Sequence, residues 1–171
     1  MDNNISHSRH DQLIEVMLRY DTGMAKQIQH FLKVYEFAHL IGTAEGLDMR
    51  TEDILETTAI VHDVGIREAL KKYGSSDGKY QEELGPDEAR PMLTTLGYDE
   101  DFINRVCYLI GHHHTYENMD GLDYQILVEA DFLVNMYEDA LSLDSIKAAY
   151  KRIFRTETGK KYCREMFGIK E

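Results

Sequence analysis

The sequence predicts an all-α protein. Three observations carry that reading: only two prolines interrupt 171 residues, the twelve glycines fall mostly where a helix would stop, and apolar residues recur at steps of three and four. Leu13, Ile14, Met17 and Leu18 predict an opening helix over Asp11 to Tyr20, broken at Gly23. Val34, Phe37, Ala38 and Ile41 predict a long helix from Met24 to about Ala44, closed by Gly46, with His30 on the same apolar stripe. Thr51, followed by Glu52 and Asp53, suits a helix start both as a cap and as charge against the macrodipole. Ile54, Leu55, Thr58, Ala59 and Val61 then face inward, and His62 continues the row of Leu55 and Ala59.

Gly65 interrupts that helix, a short one follows over Ile66 to Tyr73, and residues 74–78 read as a flexible loop. Pro86 is placed at the first position of the next helix, whose apolar set is Ala89, Met92, Leu93 and Leu96 and whose terminator is Gly97. Asp99 opens a helix carrying Phe102, Ile103, Val106, Leu109 and Ile110, which ends at Gly111. Residues 112–121 have no apolar period and read as a loop. A further helix runs from Asp123 to about Ala140, and in it Leu127, Val128, Val134 and Asn135 flank Asp131. Two more follow Ser142, with Ile146, Ala149, Tyr150, Ile153 and Phe154 in one and Tyr162, Met166 and Phe167 in the other.

Composition narrows the function. Apolar residues at 43% and charged residues at 29% are those of an ordinary soluble domain. A formal charge of −12 repels long phosphate backbones and anionic membranes, so neither a nucleic-acid polymer nor a membrane is expected as partner. A small anionic substrate stays compatible, because a cation can invert the potential inside one cleft. No basic and apolar leader opens the chain and no apolar run reaches membrane-spanning length, so a cytoplasmic protein is expected. Cys107 and Cys163 form no metal-binding pair, which suits a reducing compartment.

Three helices each carry a metal-ligating residue on an otherwise apolar stripe: His30, the adjacent His62 and Asp63, and Asp131. Taken singly, each has an ordinary explanation. A histidine on an apolar face is usually a hydrogen-bonded boundary residue, and Asp131 could pair with a lysine or arginine. Burying two unpaired carboxylates costs several kcal/mol, however, and one divalent cation would compensate both. His7, His10 and His39 are read as having no functional part.

The chain resembles the HD-domain metal-dependent phosphohydrolases in three stretches: residues 29–35 around His30, residues 58–65 ending in His62-Asp63-Val64-Gly65, and residues 128–133 around Asp131. The likeness runs from about His30 to Glu138. It implies a helical bundle of roughly seven to nine helices in a single domain over 1–171, with the core at about 24–140 and a C-terminal extension at about 141–171. It also implies one metal ion held by His30, His62, Asp63 and Asp131. Such ligands suit Mn, Fe, Co, Ni, Zn or Mg, so ion identity stays open.

Many relatives add histidines that bind a second metal or act on the phosphate. The first such position here is Gln81, a poor ligand, with Glu82 and Glu83 beside it. The second falls among His112, His113 and His114, whose register the sequence leaves open. The resemblance implies that Asp63 orients water as general base and that His112 or His113 acts on the transferring phosphoryl group, with His114 and Tyr116 at the substrate. Lys33 and Arg67, each about one turn from a ligand, are candidate phosphate contacts. The expected function is hydrolysis of a small phosphate ester such as a nucleotide. The alternatives are an HD-fold iron oxygenase, against which Gln81 counts, and a non-catalytic nucleotide-binding module. A homodimer is allowed but not required.

Overall fold

The computed structural model describes residues 8–170, so His7 and the N-terminal segment read above lie outside the described residues. Within them the chain forms nine helices: α1 (Arg9–Tyr20), α2 (Ala25–Glu45), α3 (Met49–Val61), α4 (Ile66–Tyr73), α5 (Gly78–Thr95), α6 (Glu100–Ile110), α7 (Leu122–Glu138), α8 (Leu143–Ile153) and α9 (Glu157–Phe167). No described helix is long and apolar enough to cross a membrane.

The predicted stripes become the core. Phe31, Val34, Ala38 and Ile41 of α2 pack with Leu55, Ala59 and Ile60 of α3 and with Leu127, Ala130, Leu133 and Val134 of α7. Each such large side chain is worth about 1.5–3 kcal/mol in apolar surface removed from water. α6 packs on α3 and carries α5 on its outer side, α1 closes the α3 flank, and α9 lies on α2 and α7. The three helices that carry the candidate ligands are thus the ones packed against one another.

Two helix starts differ from the sequence reading. Asp48, not Thr51, caps α3, its carboxylate accepting the amides of Arg50 and Thr51. A free carboxylate reaching two amides outcompetes a threonine that its own helix has already absorbed.

The other difference is larger. α5 begins at Gly78, eight residues before Pro86, and both prolines lie inside it. The extra turns are held by tertiary contact. A Cβ on Gly65 would sit 2.7 Å from the Gln81 carbonyl and 2.9 Å from the Gly85 nitrogen, so only glycine lets the turn after α3 reach the α5 backbone. Tyr80 stacks on Tyr73 of α4 at 4.1 Å between centroids, and Gln81 is buried. These contacts offset the hydrogen bond Pro86 cannot donate.

The segment after α6 is tied down at both ends. Arg105 of α6 makes paired hydrogen bonds to Asp120 and to Asp123, at 2.7 to 2.9 Å. The buried Tyr124 places its hydroxyl against the carbonyls of His112 and Thr115. The three histidines therefore stand on an anchored turn.

Candidate metal centre

The turn that ends α3 places His62 and Asp63 beside His30 of α2 and Asp131 of α7. His30 Nε2 lies 3.1 Å from Asp131 Oδ1, 3.3 Å from His62 Nε2 and 3.4 Å from Asp63 Oδ2. His62 Nε2 lies 3.5 Å from Asp131 Oδ1 and 3.6 Å from Asp63 Oδ1. His113 joins them, its Nε2 3.4 Å from Asp63 Oδ1.

Each imidazole is oriented from behind. His62 Nδ1 donates to the Ala59 carbonyl at 2.9 Å and His113 Nδ1 to the Ile110 carbonyl at 2.7 Å. His30 Nδ1 is 2.9 Å from Glu138 Oε2, and Lys33 Nζ donates to the other Glu138 oxygen at 2.6 Å. Three Nε2 atoms are thereby turned toward one point with their far nitrogens already occupied, an arrangement that fixes tautomer and ligand direction together. The acids are held as well. Asn135 donates to Asp131 at 2.8 Å, and Gln27 donates to Asp63 Oδ2 at 2.8 Å.

Electrostatics agree with the geometry. Burial alone would favour neutral acids, but His62, His113 and His30 hold Asp63 well below the ordinary carboxylate range. Burial likewise opposes ionisation of Asp131, and hydrogen bonds from His30 and His62 overcome it and lower its pKa. Burial resists charging His30, yet Asp131 and the charge of Asp63 raise its pKa to about 9. Two ionised acids at the centre of the bundle therefore draw in positive charge. The fit to a divalent cation rests on one further atom: His113 Nε2 is buried and has no hydrogen-bond partner among the described residues, although it points into the cluster. Nitrogen and carboxylate donors in this number suit the divalent ions named above.

The neighbouring histidines divide in role. His114 Nε2 lies 3.1 Å from Gln81 Oε1, while the Gln81 amide donates to the Ser76 carbonyl at 2.7 Å. Burial and the neighbouring His113 lower the His114 pKa to about 4, so its ring is neutral near pH 7. Asp63, His113 and His114 also lie close enough together to share an ion. His112 is not brought to the cluster. It stacks on Tyr108 at 4.2 Å and turns its Nδ1 to the Tyr108 carbonyl. The Tyr108 ring and the Tyr108 carbonyl hold His112, while His113 and His114 stay together near Asp63.

Lys33 and Arg67 are also placed differently from their expected role. Lys33 is committed to Glu138, behind His30. Arg67 donates to the Thr22 carbonyl at 3.0 Å and lies over the Tyr20 ring. Lys33 is engaged in an ion pair and Arg67 at a backbone carbonyl, although the buried Arg67 Nε has no hydrogen-bond partner among the described residues. The sequence reading missed Gln27 and Glu138, although Gln27 precedes His30 by three residues and Glu138 follows Asp131 by seven, both on the ligand-bearing faces.

A cavity of about 350 Å³ opens beside the cluster, lined among others by Gln81, His114, Tyr116, Phe132, Asn135 and Asp139. Tyr116 meets Phe132 edge to face and its hydroxyl approaches His114 Nδ1 at 3.5 Å. His114, Gln81 and Asn135 connect this cavity to the cluster.

Histidines and aspartates from α2, α7 and the turn after α3 meet at one point in an all-helical bundle, in groups that could hold a metal ion. The sequence pattern of the HD domain matches residues 28–146, and the chain belongs to that family. Its fold is similar to the crystal structure of a predicted HD superfamily hydrolase from an uncultured Thermotogales bacterium. That similarity has a TM-score of 0.67 at 24% identity, covering 92% of this chain and 84% of the other. Comparison with curated proteins found no match.

Proposed function

We propose that the protein is a metal-dependent hydrolase of a small phosphate ester, a nucleotide or related phosphomonoester or diester. The observation that carries this reading is the convergence of three pre-oriented Nε2 atoms and two ionised carboxylates beside an open cavity. The cavity is within the size range that takes a small molecule, and the acidic surface disfavours a polymer.

His30, His62, Asp63 and Asp131 would hold the cation, with His113 next to them. A divalent ion there supplies Lewis acidity toward a phosphoryl oxygen and lowers the pKa of water toward neutrality. Asp63 stays ionised and, fixed by Gln27 on one oxygen, orients a water with the other. His113 has committed its Nδ1 hydrogen to the backbone, so Nε2 is the atom that accepts a proton or a ligand bond. The neutral His114 takes hydrogen bonds at the cavity wall, and Tyr116 with Phe132 offers an aromatic surface for the organic part of the substrate.

The test is a panel of nucleotides and general phosphatase substrates, assayed with each candidate metal and after chelation. Metal-dependent phosphate release, abolished in Asp63→Ala, is the expected result. No turnover above the Asp63→Ala control with any metal would reject the enzyme and favour a binding module.

A further inference from the structure

We propose that His39, Glu52 and Glu56 form a second divalent-cation site, for a borderline ion such as Zn²⁺, on the outer face of α2 and α3. His39 is nine residues along α2 from His30, roughly 13 Å of helix rise, so this is a separate location. Glu52 and Glu56 stand one turn apart on α3, where like charges repel each other. Across from them, His39 Nδ1 lies 2.6 Å from Glu56 Oε1 and 4.0 Å from Glu52 Oε1. The three ligand atoms are all within 4.8 Å of one another. Tetrahedral zinc with nitrogen and oxygen ligands at about 2.0–2.2 Å separates them by about 3.4 Å, which lies between the two observed values.

Glu56 is held from behind, as ligating acids are, and Glu52 is fixed at the same oxygen that faces His39. His10 Nδ1 lies 3.1 Å from the other Glu56 oxygen, and the Thr43 hydroxyl donates to Glu52 Oε1 at 2.6 Å. Glu56 is only 8% exposed, yet among the described residues its ion-pair partners are two histidines and no lysine or arginine. The His39 side chain is 46% exposed, which leaves a path for the ion from solvent. Binding exchanges the proton between His39 Nδ1 and Glu56 Oε1 for the metal and releases that proton to the medium.

The test is Zn²⁺ binding to the full chain, by equilibrium dialysis with elemental analysis. The wild type is compared with Glu52→Gln, His39→Ala, Asp131→Ala and the double variant Glu52→Gln/Asp131→Ala. The expected result is one Zn²⁺ per chain fewer in Glu52→Gln and in His39→Ala, with unchanged circular dichroism and unchanged phosphatase activity. The double variant should lose a further ion. Equal zinc content and affinity in wild type, Glu52→Gln and His39→Ala would overturn the proposal. A Glu52-dependent ion that persists in Asp131→Ala supports it even where no phosphate ester is turned over, so its failure and that of the hydrolase reading are distinguishable.

Discussion

Asp131→Ala is expected to release the cation of the central cluster and to lower turnover by about 10³-fold. Asp131 Oδ1 is shared by His30 Nε2 at 3.1 Å, His62 Nε2 at 3.5 Å and Asn135 at 2.8 Å. Alanine removes one of two negative charges and leaves Asn135 without its acceptor. A loss of about 4 kcal/mol in charge stabilisation corresponds to that rate effect. Asp131→Asn keeps the volume and most hydrogen bonds but not the charge, so it should behave nearly alike in metal content while denaturing closer to wild type. Metal analysis and steady-state kinetics on both variants check this. Equal metal content in wild type and both variants would contradict the assignment.

The second large effect concerns stability. Glu129 of α7 is fully buried and accepts the backbone amides of Arg155 at 2.6 Å and Thr156 at 3.0 Å, together with the Thr156 hydroxyl and the Gln125 amide. It thereby fastens the start of α9 to the helix that carries Asp131. A Cβ on Gly159 would collide with its carboxylate, which shows how closely α9 approaches. Glu129→Ala leaves buried donors unpaired and opens a cavity. The expected cost is about 3 kcal/mol, or roughly 10 °C in Tm for a chain of this size. Thermal denaturation of metal-free protein measures it, and a change below about 2 °C would show that other contacts hold α9.

The central cluster was legible because its members interrupt apolar stripes. His30, His62 and Asp131 occupy helix positions that periodicity assigns to the core, where a polar group needs a reason. His113 was not separable from His112 and His114. Side chains in consecutive positions of a turn differ only by direction, and that direction depends on how Tyr124 and Arg105 anchor the segment. The first eight residues of α5 were hidden for a similar reason. Pro86 is a sound local signal for a start, but the close approach of Gly65 to Gly85 and the Tyr73–Tyr80 stack lie outside any local window. Lys33 and Arg67 show the limit of spacing as a guide to charge. Each lies about one turn from a ligand, and each is claimed by an acceptor on another element, Glu138 or the Thr22 carbonyl. The pairing of His10 and His39 with Glu56 joins α1, α2 and α3, and no pattern within a single helix reports it.

The proposed function requires one divalent cation gripped by His30, His62, Asp63 and Asp131. An anomalous-difference map, recorded at the metal's absorption edge from crystals of metal-replete protein, tests it most directly. A peak enclosed by those four side chains is the predicted result. Featureless density there, with the four side chains turned apart while the ion is present in the crystals, would contradict it.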